Sequence, residues 1–157
     1  MKRLNFSDNI QAGGREFHLQ TSTDVNKRID ITLFESGKVL ARNSFLTDQK
    51  DEGQKFYSIV LKKHRHIISA IDRLYALLED IHHIHQHPIL LQMVTFFIRW
   101  QLWKESIIVL DRLKSIEKEL YPNSYKDIVS LIRCCESSSV LESVRQLNHI
   151  KNKINLC

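Results

Sequence analysis

Four histidines, His82, His83, His85 and His87, fall within six residues. Imidazole nitrogen is a common ligand for Zn²⁺ and Ni²⁺. On a helix, His82 and His85 would share one face, and His83 and His87 another. A pair of ligands makes only a weak site, and a closed structural site needs four. Glu79 and Asp80 are the nearby carboxylates. Two other readings stand beside the metal. Histidine at a helix end interacts favourably with the carbonyl dipole, and a histidine-rich surface titrates near neutral pH. A metal-binding or metal-responsive regulator is therefore one expectation.

The run Lys62-Lys63-His64-Arg65-His66 is the densest cluster of basic residues. Together Lys62, Lys63, Arg65 and Arg73 offer contacts for phosphate, so weak nucleic-acid binding is a further alternative. The aromatic interleaving of a single-strand binder is missing from the run. Such runs are most often solvated helix faces. His64 itself falls on an apolar stripe, where it needs a hydrogen-bond partner if buried. His18 alternates with Phe17 and Leu19 and belongs to the opposite side of a strand.

Cys134-Cys135 with His149 offers a nucleophile and a base, but no acid or oxyanion-hole motif accompanies them. One such cysteine usually packs as a small hydrophobe. No glycine-rich phosphate loop, H-E-x-x-H, C-x-x-C or G-x-S-x-G occurs. The carboxylate pairs Asp51-Glu52 and Glu79-Asp80 fall at helix ends, where they are usually solvated. No catalytic residue and no cofactor is expected, and the chain reads as a non-enzyme. The remaining feature is aromatic. Phe97, Trp100, Trp103 and Tyr121 are candidate partner-binding residues, because Trp and Tyr concentrate binding energy at interfaces. The competing reading of Phe96, Phe97, Trp100 and Trp103 is a helix–helix core.

These residues sit in a chain of 157, enough for one domain or for a small sheet unit plus a helical unit. A hydrophobic content of 43% with 26% charge fits an ordinary globular protein and excludes a disordered tail. The net charge of +5 is mild and interspersed. Three cysteines without framework spacing suit a reducing cytoplasm. After Met1-Lys2-Arg3 come polar residues (Asn5, Ser7, Asp8, Asn9), so no targeting segment is expected. The most apolar stretch, 89–98, is about half the length of a membrane span, so no membrane insertion is expected.

The apolar rhythm changes near Thr47-Asp48. Before it, residues alternate as in strands: Phe17, Leu19 and Thr21, then Ile29, Ile31 and Leu33. The pattern predicts a loose lead-in over 1–14 and strands over 15–22, 27–34 and 39–45. A polar turn spans 23–26 and a hairpin connection 35–38, with Gly37 free to take positive φ. Beyond the change, Thr47 or Asp48 can cap a helix from Asp51 to about His83. Val60, His64, Ile67, Ile71, Leu74, Leu78, Ile81 and His85 follow a 4-3-4-3 spacing along it. That seam suits an antiparallel helix pair or a coiled-coil dimer. Tyr57, Leu61, Ile68 and Tyr75 form a second flank for the sheet. Pro88 opens the next helix, and a tight turn within 99–104 would split 89–120 in two. Ser124 with Asp127, and the S-x-x-E box of Ser139 and Glu142, start two more helices.

Phe97, Ser106, Leu110 and Leu113 approximate the packing positions of tetratricopeptide-type repeats, which residues 88–154 resemble without a fixed period. Gly14-Arg15-Glu16-Phe17, His18-Leu19-Gln20-Thr21 with Asp24, Gly37-Lys38-Val39-Leu40 and Lys63-His64 are similar to a short module in bacterial proteins of no established activity. The likeness covers residues 13–66 and departs where Ser22-Thr23 precede the acidic residue. It implies a bacterial cytoplasmic protein, sometimes joined to helical repeats.

The expectation is an α+β protein. A three-stranded antiparallel meander (1–48) packs on a long amphipathic helix (49–87), which joins it to a helical hairpin array (88–157) as one cooperative unit. The expected function is non-catalytic protein–protein interaction through a helical groove in the cytoplasm, including self-association along the Val60–Ile81 seam. A protein partner or a second copy is favoured over nucleic acid.

Overall fold

The computed structural model describes residues 3–47 and 53–116. The readings placed on Asp48, Asp51, Glu52, Tyr121, Ser124, Asp127, Cys134, Cys135, Ser139, Glu142 and His149 lie outside the described residues. The chain divides into two compact units, Met1–Glu79 and Asp80–Cys157.

The first unit is a four-stranded antiparallel meander with one long helix. Its strands are β1 (Asn5–Ala12), β2 (Arg15–Thr23), β3 (Arg28–Glu35) and β4 (Lys38–Leu46), in the order β1-β2-β3-β4. The sequence pattern predicts three strands; the fourth is β1, in the stretch expected to be a loose lead-in. Phe6, Ile10 and Ala12 do alternate there, but Asp8 interrupts the apolar series. The β1–β2 connection is Gly13-Gly14, with φ of +55° and +71° and Ala12 paired to Arg15. This is the two-residue hairpin geometry that needs φ > 0 at both positions. Ser36 (φ +50°) and Gly37 (φ +76°) make the same kind of turn between β3 and β4. At the β2–β3 turn, the Asp24 carboxylate accepts hydrogen bonds from the backbone N–H of Asn26 and Arg28, each 2.9 Å.

The register places Leu19 opposite Asp8 and Leu33, and Thr21 opposite Phe6 and Ile31, so these side chains share one sheet face. On that face Phe17, Leu19, Ile29, Ile31 and Leu33 are fully buried. Each such side chain contributes roughly 1.5–3 kcal/mol. The cover is α1 (Gly53–Glu79), which has neither proline nor a second glycine. It buries Phe56, Val60, His64, Ile67, Ile71, Leu74 and Tyr75. The heptad seam therefore lies on the sheet and not on another helix, which corrects the coiled-coil reading. A 4-3 spacing makes a straight apolar stripe, and a sheet accepts such a stripe as readily as a helix does.

α1 ends at Glu79, before the expected His83. A 3-10 turn, Ile81–His83, follows, and the Asp80 carboxylate accepts from His83 Nδ1. The second unit continues with α2 (His87–Arg99) and α3 (Trp103–Ile116). Trp100 closes α2, Gln101 takes φ +56°, and the N–H of Leu102 donates to the Phe97 carbonyl at 2.8 Å. The N–H of Gln101 donates to the Ile98 carbonyl at 3.0 Å. These two bonds form a Schellman C-cap with its apolar contact residues Phe97 and Leu102 buried. The break sits inside the 99–104 window that the sequence marks. No described helix is long and apolar enough to cross a membrane.

Candidate functional site

In the first unit the polar centre is His64. Its ring is buried, with Nδ1 2.8 Å from Thr21 Oγ1 and Nε2 2.7 Å from Asp8 Oδ2. A carboxylate only accepts, so Nε2–H donates to Asp8, and the neutral ring then accepts at Nδ1 from the Thr21 hydroxyl. The Phe6 ring lies 5.8 Å away and is itself edge-on to Tyr57 at 5.6 Å. Hydroxyl, imidazole and carboxylate in series can relay a proton. Thr21, however, is 0% exposed, whereas the Asp8 side chain is 57% exposed. The hydroxyl is sealed in the core, away from any substrate, and the chain serves to tie α1 to β1 and β2. Neither Asp8 nor Thr21 stands out in the sequence as a partner for His64. The signal was the single polar residue at an inward position of β1.

A second polar tie fixes the other end of α1. The guanidinium of Arg15 donates to both oxygens of Glu35, at 2.6 and 2.8 Å, and to Tyr75 Oη at 3.3 Å. It also lies 5.0 Å from the Phe17 ring centroid. Such a bidentate pair fixes orientation as well as charge. On the outer sheet face, exposed His18 donates from Nδ1 to Asn9 Oδ1 at 2.8 Å and its ring lies 5.9 Å from Phe34.

The four residues of α1 that the sequence offers as phosphate contacts separate. Lys62, Arg65 and Arg73 are exposed, whereas Lys63 is half-buried with its ammonium 4.5 Å from the Phe45 ring centroid. Lys63 is thus engaged in a cation–π contact inside the unit.

In the second unit His82 and His83 lie on a 3-10 turn, His85 on its exit and His87 at the start of α2, so helical spacing does not group them. His82 and His83 are exposed. His85 Nδ1 accepts from Arg112 Nη2 at 3.1 Å, and Arg112 Nε donates to the Ile84 carbonyl at 3.1 Å. Arg112 therefore straps the turn to α3 and occupies one imidazole nitrogen. Of His87 only the backbone, at the start of α2, is described. Among the described residues no three His, Cys, Asp or Glu side chains converge as metal ligands.

Of the aromatic candidates, Phe97 and Trp100 are fully buried. Phe96 lies 6.2 Å from both rings, edge-on to Phe97. Trp100 Nε1–H is buried without a partner among the described residues. Trp103, the first residue of α3, is half-buried, as is Ile107 one turn on. Ile108 is 45% exposed and Ile116 is 37% exposed. These isoleucines were not singled out by the sequence pattern, where they read as ordinary helix positions. Comparison with protein-family models, curated proteins and solved structures finds no match.

Proposed function

We propose that the protein is a non-catalytic interaction module of the bacterial cytoplasm whose partner-binding surface is the solvent side of α3. The observation that supports it is the apolar content of that side: half-buried Trp103 and Ile107, with exposed Ile108 beside them. Trp103 and Ile107 lie one turn apart and about 40° apart around the helix axis, and Ile108 follows about 100° further round, past exposed Lys104 and Asp111. An apolar pair rimmed by charges suits an amphipathic helix or peptide partner. Trp103 is the anchor type that dominates such contacts. Phe97 and Trp100 lie beneath the α2–α3 turn and act as positioning residues, since neither reaches solvent. The Val60–Leu74 stripe is committed to the sheet, so a second copy would dock elsewhere.

The test compares the full chain with a Trp103→Ala, Ile108→Glu variant. Co-purification from the native host and light scattering of the free protein provide the readouts. The expected result is loss of the bound partner or of the dimer with the unfolding midpoint little changed. A variant that keeps the same partners at the same yield would remove α3 as the interface. Phe97→Ala serves as the contrast, because it should lower stability first.

A further inference from the structure

We propose that the outer face of α1 is a docking ridge for the phosphate backbone of double-stranded nucleic acid, gripped by Lys62, Arg65 and Arg73. The buried stripe of this helix runs Val60, His64, Ile67, Ile71, Leu74. On its back, Lys62, His66, Ser69 and Arg73 repeat the same 4-3-4 spacing. At about 100° per residue, Lys62, His66 and Arg73 fall within an arc of about 40°, and Arg65 flanks it. All four are exposed. No carboxylate enters the row; Asp72 stands on its margin, next to Arg73 in sequence and about 100° round from it.

The second observation is how these cations are used. Arg15, Arg28, Lys63 and Arg112 are all engaged with carboxylates, carbonyls or rings. Among the described residues, the side chains of Lys62, Arg65, His66 and Arg73 make no hydrogen bond, ion pair or ring contact. The charges of Lys62, Arg65 and Arg73 are therefore not neutralised among the described residues. The helix under them is fixed by its buried stripe and by the His64 and Tyr75 ties, so the row is held in line before a ligand arrives.

The geometry selects among polyanions. From Lys62 to Arg73 the row spans about 16 Å, over which duplex DNA carries about ten phosphate charges. No Phe, Tyr or Trp side chain lies in the row, which disfavours base stacking on a single strand. A membrane-surface helix would turn its apolar face to lipid, but the apolar face of α1 is committed to the sheet. The ridge belongs to the first unit and does not depend on the α3 surface.

The experiment measures fluorescence anisotropy of a labelled DNA duplex of mixed sequence, with the full chain, at two salt concentrations. Three phosphate contacts give a slope of log affinity on log salt near about −2.7, a ~40-fold loss between about 50 and 200 mM NaCl. The triple variants K62E/R65E/R73E and K62Q/R65Q/R73Q should bind at least ~10-fold more weakly at the lower salt, with a flattened slope. Their helical circular dichroism should be retained, because the positions are exposed. The Gln variant serves if the Glu variant fails to fold. A charge-matched control, R3E/K38E/K104E, alters exposed residues outside α1 and should stay within ~3-fold of the parent. Equal losses in control and ridge variants would overturn the proposal, as would no duplex binding at the lower salt. Capture by anionic phospholipid vesicles with the duplex ignored would assign the ridge to a membrane surface instead.

Discussion

His64 shows how one polar side chain shapes its neighbours. Its place on an apolar stripe is plain in the sequence, and so is its need for a partner. The partners are not, because they come from β1 and β2, 56 and 43 residues away. Asp8 faces inward to meet Nε2, and that same inward carboxylate breaks the alternation that would have revealed β1. The residue that completes the site thus hides the strand that carries it. Thr21→Val should cost about 1–3 kcal/mol, because it leaves Nδ1 of a buried ring without a partner. His64→Leu should cost a similar amount by orphaning the Thr21 hydroxyl. The double variant should lose clearly less than the sum, since no polar atom of that pair remains. Urea unfolding of the four proteins checks this, and strict additivity would show that the two groups do not depend on each other. Asp8→Asn should cost less than either, because the carboxylate is more than half exposed and water can replace it.

At the scale of the element, turns decide what the apolar pattern leaves open. The Glu35–Lys38 hairpin is legible from Gly37, and Gly13-Gly14 carries the same signal for β1 once it is read as a hairpin and not as a loose end. The two glycines differ in a testable way. A Cβ on Gly13 would overlap the Tyr75 ring at Cδ1 and Cε1, whereas one on Gly14 meets nothing within 4 Å. Both have positive φ, so Gly14→Ala should cost about 1–2 kcal/mol for the left-handed backbone alone. Gly13→Ala should cost more, and the excess should shrink when Tyr75 is also replaced by Ala. The α2–α3 break is the reverse case. Its window is visible in the sequence, but no glycine marks it, because Gln101 takes the left-handed C′ position usually given to glycine. Gln101→Gly should therefore raise stability by about 0.5–1 kcal/mol, read as an increase in the urea midpoint. A decrease would mean that the Gln101 side chain contributes more than its backbone costs. The histidine cluster failed as a helical pair for a related reason: Asp80 holds His83 in a 3-10 turn, a side-chain capture that periodicity does not register.

For the whole molecule, the change of rhythm near Thr47 marks a change of secondary structure and not the edge of a unit. The boundary between the units falls at Glu79–Asp80, so α1 belongs with the sheet it covers. Periodicity identifies a helix and its apolar stripe but does not say what the stripe meets. Here two polar ties, His64 to Asp8 and Thr21, and Arg15 to Tyr75 and Glu35, specify the sheet. Apolar matching alone would tolerate several placements of α1, and the ties select one. A chain of residues 1–79 contains this core, both ties and every described strand, so it should fold alone. At this size a single core rarely supplies more than about 3–5 kcal/mol. The fragment should show one cooperative urea transition by circular dichroism, with stability in that range. Both tryptophans lie in the second unit, so Tyr57 and Tyr75 provide the fluorescence signal of the fragment. Introducing Thr21→Val into the fragment should remove about 1–3 kcal/mol of that margin, read as a clear fall in its urea midpoint. A fragment that shows no cooperative transition would mean that residues beyond Glu79 are part of the core that α1 and the sheet form.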